Sequence, residues 1–96
     1  MKVIVSVAAK ADLREIGDFI ASDSRKAAAR VTKRLLANVR SLARTPERYP
    51  AVQAGRDVRK CVVPPHVIFY RVESTRVVVL RIVHGARDFA PIVDLL

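Results

Sequence analysis

The residues best suited to chemistry lie in the second half of the chain. His84 carries an imidazole, the side-chain type suited to general acid or base work at neutral pH. Arg59, Lys60, Arg81 and Arg87 are cations able to hold phosphate oxygens. Tyr70 offers a phenol that positions a base or donates a proton. Together they meet the needs of metal-free phosphodiester cleavage: a base at the attacking hydroxyl, cations on the phosphate and an acid for the leaving oxygen. Plainer roles fit the same residues. Gly85 permits a tight turn after a strand, Arg87 and Asp88 can pair with neighbours, and His84 can satisfy backbone groups there. Of the two readings, structure or binding is favoured over catalysis.

Other chemistries find little support. No Gly-rich phosphate loop, Ser/His/Asp set or pair of carboxylates stands out. The acidic residues are few and scattered, against a two-metal nuclease. One cysteine, Cys61, makes no internal disulfide, and with only His66 and His84 no metal or cofactor is expected. Cys61 precedes Val62 and Val63 and reads as a small buried hydrophobe. His66 follows two prolines and reads as an exposed turn residue. Phe69 and Tyr70 read as sheet packing, since nothing resembles the aromatic pair of an RNA-binding sheet.

The elements that must position these residues follow from periodicity. Lys2–Ser6 predicts a short strand, and Ser6 a helix N-cap. Over Ala8–Ser22, Ala9, Leu13, Ile16 and Ile20 recur at helical spacing, with Asp12, Glu15 and Asp18 off that stripe. Ser24 caps a second helix, Arg25–Arg44, whose stripe is Ala28, Val31, Leu35, Val39 and Leu42. The short Asp23-Ser24 junction folds the two into an antiparallel hairpin. The run Ala27–Ala29 allows the helices to approach closely. After Pro50 the period changes to two. Asp57–Val63, Val67–Glu73 and Arg76–His84 predict an antiparallel meander, parted by Pro64-Pro65 and Ser74-Thr75. Alternation places Val78, Leu80 and Ile82 on one face of the last strand, and Val77, Val79, Arg81 and Val83 on the other. Both sheet faces are apolar, so the one away from the helices needs a cover or a partner. The tail Pro91–Leu96 suits one helical turn, with Ile92, Val93, Leu95 and Leu96 seeking contacts. The expected class is α+β, in the order β-α-α-β-β-β, with a helical hairpin on a small, mainly antiparallel sheet. The pairing of the first strand is open.

Size and charge narrow the partners. At 96 residues the chain is expected to be one domain, 1–96. Hydrophobic residues make up 51%, which argues against disorder. No apolar run approaches the ~20 residues of a membrane span, so a soluble, cytoplasmic protein is expected. Eighteen lysines and arginines against nine acids give net +9. The excess sits in Ser24–Arg48, with eight basic residues and one acid. Thirteen of the cations are arginine, whose forked donors suit phosphate and carboxylate. A polyanionic partner is therefore favoured over a merely solvated face.

Three motifs, in this order and at this chain length, resemble the RelE/ParE superfamily of bacterial type II toxins. They are Ala11-Asp12-Leu13-Arg14-Glu15-Ile16 with Phe19-Ile20, then Val67-Ile68-Phe69-Tyr70-Arg71-Val72, then Val79-Leu80-Arg81-Ile82-Val83-His84-Gly85-Ala86-Arg87-Asp88. The last is similar to the ending of the ParE branch. The resemblance spans nearly the whole chain. It implies a toxin that inhibits DNA gyrase and replication, neutralised by a ParD-like antitoxin in a hetero-oligomeric complex. Its other branch, RelE-like, implies a ribosome-dependent mRNA endoribonuclease, for which His84, Arg81, Arg87 and Tyr70 would be the catalytic set. RelE-like enzymes carry an arginine where Val67 stands and a tyrosine near the C-terminus, whereas no tyrosine follows Tyr70. Those departures favour ParE. On that reading Arg30, Arg34 and Arg59 meet antitoxin carboxylates, and His84, Arg87 and Asp88 contact the target. A degraded toxin retained to bind antitoxin is a third reading. Direct nucleic-acid binding is left open.

Overall fold

The computed structural model describes residues 1–52, 57–86 and 90–96. The element order is β1 (Lys2–Val5), α1 (Val7–Ala21), α2 (Arg25–Ser41), β2 (Val58–Val63), β3 (His66–Val72), β4 (Arg76–His84) and α3 (Ala90–Asp94). Both long helices start on a serine cap. The Ser6 hydroxyl accepts from Ala9 N–H at 3.0 Å and the Ser24 hydroxyl from Ala27 N–H at 3.1 Å, each filling one of the donors a helix start leaves unpaired. Ser6 also donates to Leu80 O at 2.9 Å, which ties the start of α1 to β4. Beyond Ser41 the chain continues as turns through Arg44, so the second helix is shorter than its apolar pattern predicts.

The sheet has four strands in the order β1-β4-β3-β2. Strands β2, β3 and β4 form the expected antiparallel meander, and β1 pairs parallel to β4. The helical hairpin covers one face. Ala9 from α1 and Leu35, Val39 and Leu42 from the second helix and its end pack on Cys61, Ile68, Tyr70, Val77, Val79 and Ile82. Cys61 is fully buried, as its context predicts, and burial raises its thiol pKa. On the other face Val58, Val67, Phe69 and Val83 pack with Val93, flanked by Leu80, Ile92 and Leu96. The tail therefore supplies part of the cover that this face needs. Leu95, expected to seek contacts, is exposed instead.

Strict alternation fails in β4. Phe69 pairs with Arg81 and its neighbour Tyr70 with Val79, so Leu80 is an extra residue. This bulge reverses the inside-outside pattern. Val77 and Val79 face the helices, and so does Ile82, an odd number of residues further on. Leu80 and Val83 belong to the other face, which corrects the grouping expected from period two.

Candidate functional site

The bulge places Arg81 against the first helix. Its Nε donates to Asp12 Oδ2 at 2.7 Å and its Nη2 to Asp12 Oδ1 at 2.9 Å, a forked ion pair. Ile82 N–H donates to the same Oδ2 at 2.9 Å. Asp12 is 8% exposed. It lies one turn from both Ala9 and Ile16, on the flank of the stripe that faces the sheet. The hydrogen bond to Asp12 holds the Arg81 guanidinium still more firmly protonated than usual. Asp12 and Arg81 together clamp α1 to the end of β4.

Beside this clamp lies a hollow of about 530 Å³, lined by Asp12, Glu15, Phe19, Ile20, Pro65, His66, Ile82 and His84. Its polar end is a histidine pair. His66 and His84 are cross-strand partners, with ring centroids 5.6 Å apart and planes at 75°. His84 is exposed, and its Nδ1 accepts from Ala86 N–H at 3.1 Å, so the neutral ring carries its proton on Nε2. His66 is 5% exposed, which corrects its reading as a solvated turn residue. The prolines form the turn, and His66 is already the first residue of β3, under the ring of His84. Gly85 fits here because its N–H reaches Pro65 O at 2.7 Å and a side-chain carbon would meet that oxygen at 3.1 Å. Phe19 is 80% exposed and gives the hollow an apolar rim.

Burial lowers the pKa of His66 and the charge of His84 lowers it further. The unfolded chain binds a proton at this imidazole before the folded chain does. The associated stability is complete above the ordinary imidazole value near 6.5 and declines as pH falls below it. Thermal midpoints measured from neutral to mildly acidic pH are expected to fall below that point. His66→Gln removes this part of the fall; an unchanged pH profile in that variant would show that His66 titrates as in the unfolded chain.

The other residues singled out from the sequence scatter. Tyr70 is fully buried on the helix-facing side, where its hydroxyl donates to Pro46 O at 2.7 Å and burial raises its pKa. Arg59, its cross-strand partner, donates to Tyr49 O at 2.7 Å and Glu47 O at 3.2 Å. These two side chains pin the segment 46–49 to the sheet. Arg34 is exposed and donates to Pro64 O at 3.1 Å, and Arg30 is exposed as well. Lys60 is half-buried on β2. Arg87 and Asp88 lie outside the described residues. So the structure brings Arg81 and His84 to one end of the sheet and sets Tyr70 in the core. Asp12 was missed as a site residue. Its signal was its spacing: a carboxylate at i+3 from Ala9 and i−4 from Ile16 borders the buried face and needs a cation there.

No group of three or more His, Cys, Asp or Glu side chains placed to hold a metal occurs among the described residues. No helix there is long and apolar enough to cross a membrane.

The helical hairpin over a mixed four-stranded sheet recurs in solved chains of toxin-antitoxin systems. A chain of the chromosomal ParDE toxin-antitoxin system of P. aeruginosa superposes with a TM-score of 0.76 at 20% identity, covering 88% of this chain and 95% of that one. A chain of the RelBE2 toxin-antitoxin complex of Mycobacterium tuberculosis gives 0.61 at 21% identity, covering 86% and 95%. The family model of the ParE toxin of the type II toxin-antitoxin system, parDE, matches residues 3–89. The toxin RelE2 of Caulobacter vibrioides is 41% identical over 87 residues, which span 90% of this chain and 97% of that protein. The chain belongs to the ParE toxin family, within the RelE/ParE superfamily of type II toxins.

Proposed function

We propose that this toxin acts as a ParE-like inhibitor of DNA gyrase, without covalent chemistry of its own, and is neutralised by a ParD-like antitoxin. The observation that carries the reading is the engagement of two of the four residues a nuclease would use. The Arg81 guanidinium is spent on Asp12, and the Tyr70 hydroxyl is spent on Pro46 inside the core. The match of the ParE family model over residues 3–89 supports the same branch. His84, which is exposed, and Arg87 and Asp88 beyond it are the proposed contacts with the target.

The second reading, a RelE-like ribosome-dependent mRNA endoribonuclease, is favoured by the name of the 41% identical relative, RelE2. Inducible expression in a bacterial host distinguishes the two. Double-strand DNA breaks and an SOS response with intact mRNA are expected. Cleaved mRNA without DNA damage would overturn the gyrase reading and return His84, Arg81 and Arg87 to a catalytic role.

Both similar folds come from toxin-antitoxin systems, which supports an antitoxin partner here. Antitoxin carboxylates are proposed to meet Arg30, Arg34 and Arg59. Arg59 already serves two carbonyls, so it offers its remaining donors. Reversing Arg30 and Arg34 together to glutamate should weaken the complex about tenfold, two exposed pairs at up to ~1 kcal/mol each, and flatten its salt dependence. An unchanged affinity in titration calorimetry would remove this placement.

A further inference from the structure

We infer that the outer face of α2 docks the phosphate backbone of duplex DNA. This goes beyond the toxin's target and holds for either reading of it. Lys26, Arg30, Lys33 and Arg40 recur at helical spacing, opposite the buried stripe of Ala28, Leu35 and Val39. All four are exposed. They span ~21 Å of helix at 1.5 Å per residue. The helix carries no acidic residue between Arg25 and Ser41. Among the described residues the ion pairs are Arg76–Glu73 and Arg81–Asp12, and neither uses α2. The four charges are thus unneutralised and held in line by a rigid element.

The shape beside the charges suits a polyanionic ridge. Between α1 and α2 lies a shallow hollow of about 450 Å³, floored by Gly17, Ala28, Ala29, Thr32 and the half-buried Leu36, with Lys33 and Arg40 on its rim. Small floor residues let a sugar-phosphate strand settle between two cations. The occupant follows from what the face lacks. A protein partner anchors on a cluster of aromatic or aliphatic side chains, and this face offers only Leu36, itself half-buried. Single-stranded RNA needs aromatic platforms for its bases, and this face has none. A row of cations with no aromatic and a single leucine beside it matches the regular charge of a duplex, one phosphate per ~1.7 Å of axis, through counterion release.

The test uses the full chain and a short fluorescent duplex of mixed sequence, read by anisotropy over a range of salt. With four cations on phosphates, log K should fall against log salt with a slope of about −3 to −4. Lys26→Gln/Lys33→Gln/Arg40→Gln should reduce the slope to about −1 and weaken low-salt binding at least about tenfold. Arg30 belongs to both surfaces, so that variant leaves it in place and alters only the three cations not assigned to the antitoxin. Lys26→Arg/Lys33→Arg should keep the wild-type slope. Three results would overturn the inference: duplex binding unaltered in the triple variant, tighter binding to single-stranded RNA than to the duplex, or displacement of the duplex by polyglutamate at equal charge. The last would mark an acidic-protein surface.

Discussion

Asp12→Asn is expected to destabilise this domain by about 3 kcal/mol, the lower end of the range for breaking a buried ion pair. The lower end applies because the Arg81 side chain keeps 26% of its surface in water. The Asp12 carboxylate accepts three hydrogen bonds, from Arg81 Nε, Arg81 Nη2 and Ile82 N–H. An amide supplies one acceptor oxygen and turns its NH2 toward donors. It also leaves the guanidinium without its counter-charge. In a domain of this size such a loss lowers the thermal midpoint by more than about 10 °C. Arg81→Met should cost a similar amount, since it strands a carboxylate that is nine-tenths buried. The double variant Asp12→Ala/Arg81→Met should recover part of the loss, because no charge is left stranded. A residual deficit of about 1 kcal/mol or more remains for the unpaired Ile82 N–H. Thermal denaturation of the three proteins measures the coupling directly. Singles within about 0.5 kcal/mol of wild type would show that the clamp contributes nothing beyond a surface pair.

The clamp also marks where the sequence could be read and where it could not. Period and caps placed every strand and helix to within a few residues, because Ser6, Ser24 and the prolines act locally. The apolar stripe of α2 was legible residue by residue, since burial of Leu35, Val39 and Leu42 follows from helical spacing alone. The site was less legible, because it depends on a bulge. Nothing near Leu80 signals an extra residue. Yet that residue decides that Ile82 turns to the helices and that Arg81 lies within reach of Asp12, 69 positions away. His66 was misread for a related reason. Two prolines signal a turn, but the pairing of His66 with His84 depends on the register of β3 against β4. The parallel pairing of β1 with β4 is likewise a tertiary fact, which joins the two ends of the chain's order.

The two readings of Tyr70 predict opposite outcomes for Tyr70→Phe, with Tyr70→Ala as the measure of its packing. As a core residue, Tyr70 fills space among Ile68, Val79 and Leu35, and its hydroxyl satisfies one carbonyl at Pro46. Tyr70→Ala then empties a fully buried site and should cost about 3–5 kcal/mol, the usual loss for a large aromatic. That approaches the whole stability of a small domain, about 5–15 kcal/mol, so toxicity should vanish together with the folded protein. Tyr70→Phe keeps the ring and loses one hydrogen bond, worth about 1 kcal/mol, and the domain should stay folded and toxic. A catalytic phenol requires the reverse: Tyr70→Phe would be nearly as stable as wild type and yet would not arrest growth. Growth arrest scored beside thermal denaturation separates them, because each variant gives both readouts. Retained arrest in a folded Tyr70→Phe protein would place the hydroxyl in the architecture. It would then be one of the groups, with Arg59 and Arg81, that hold the sheet to what covers it.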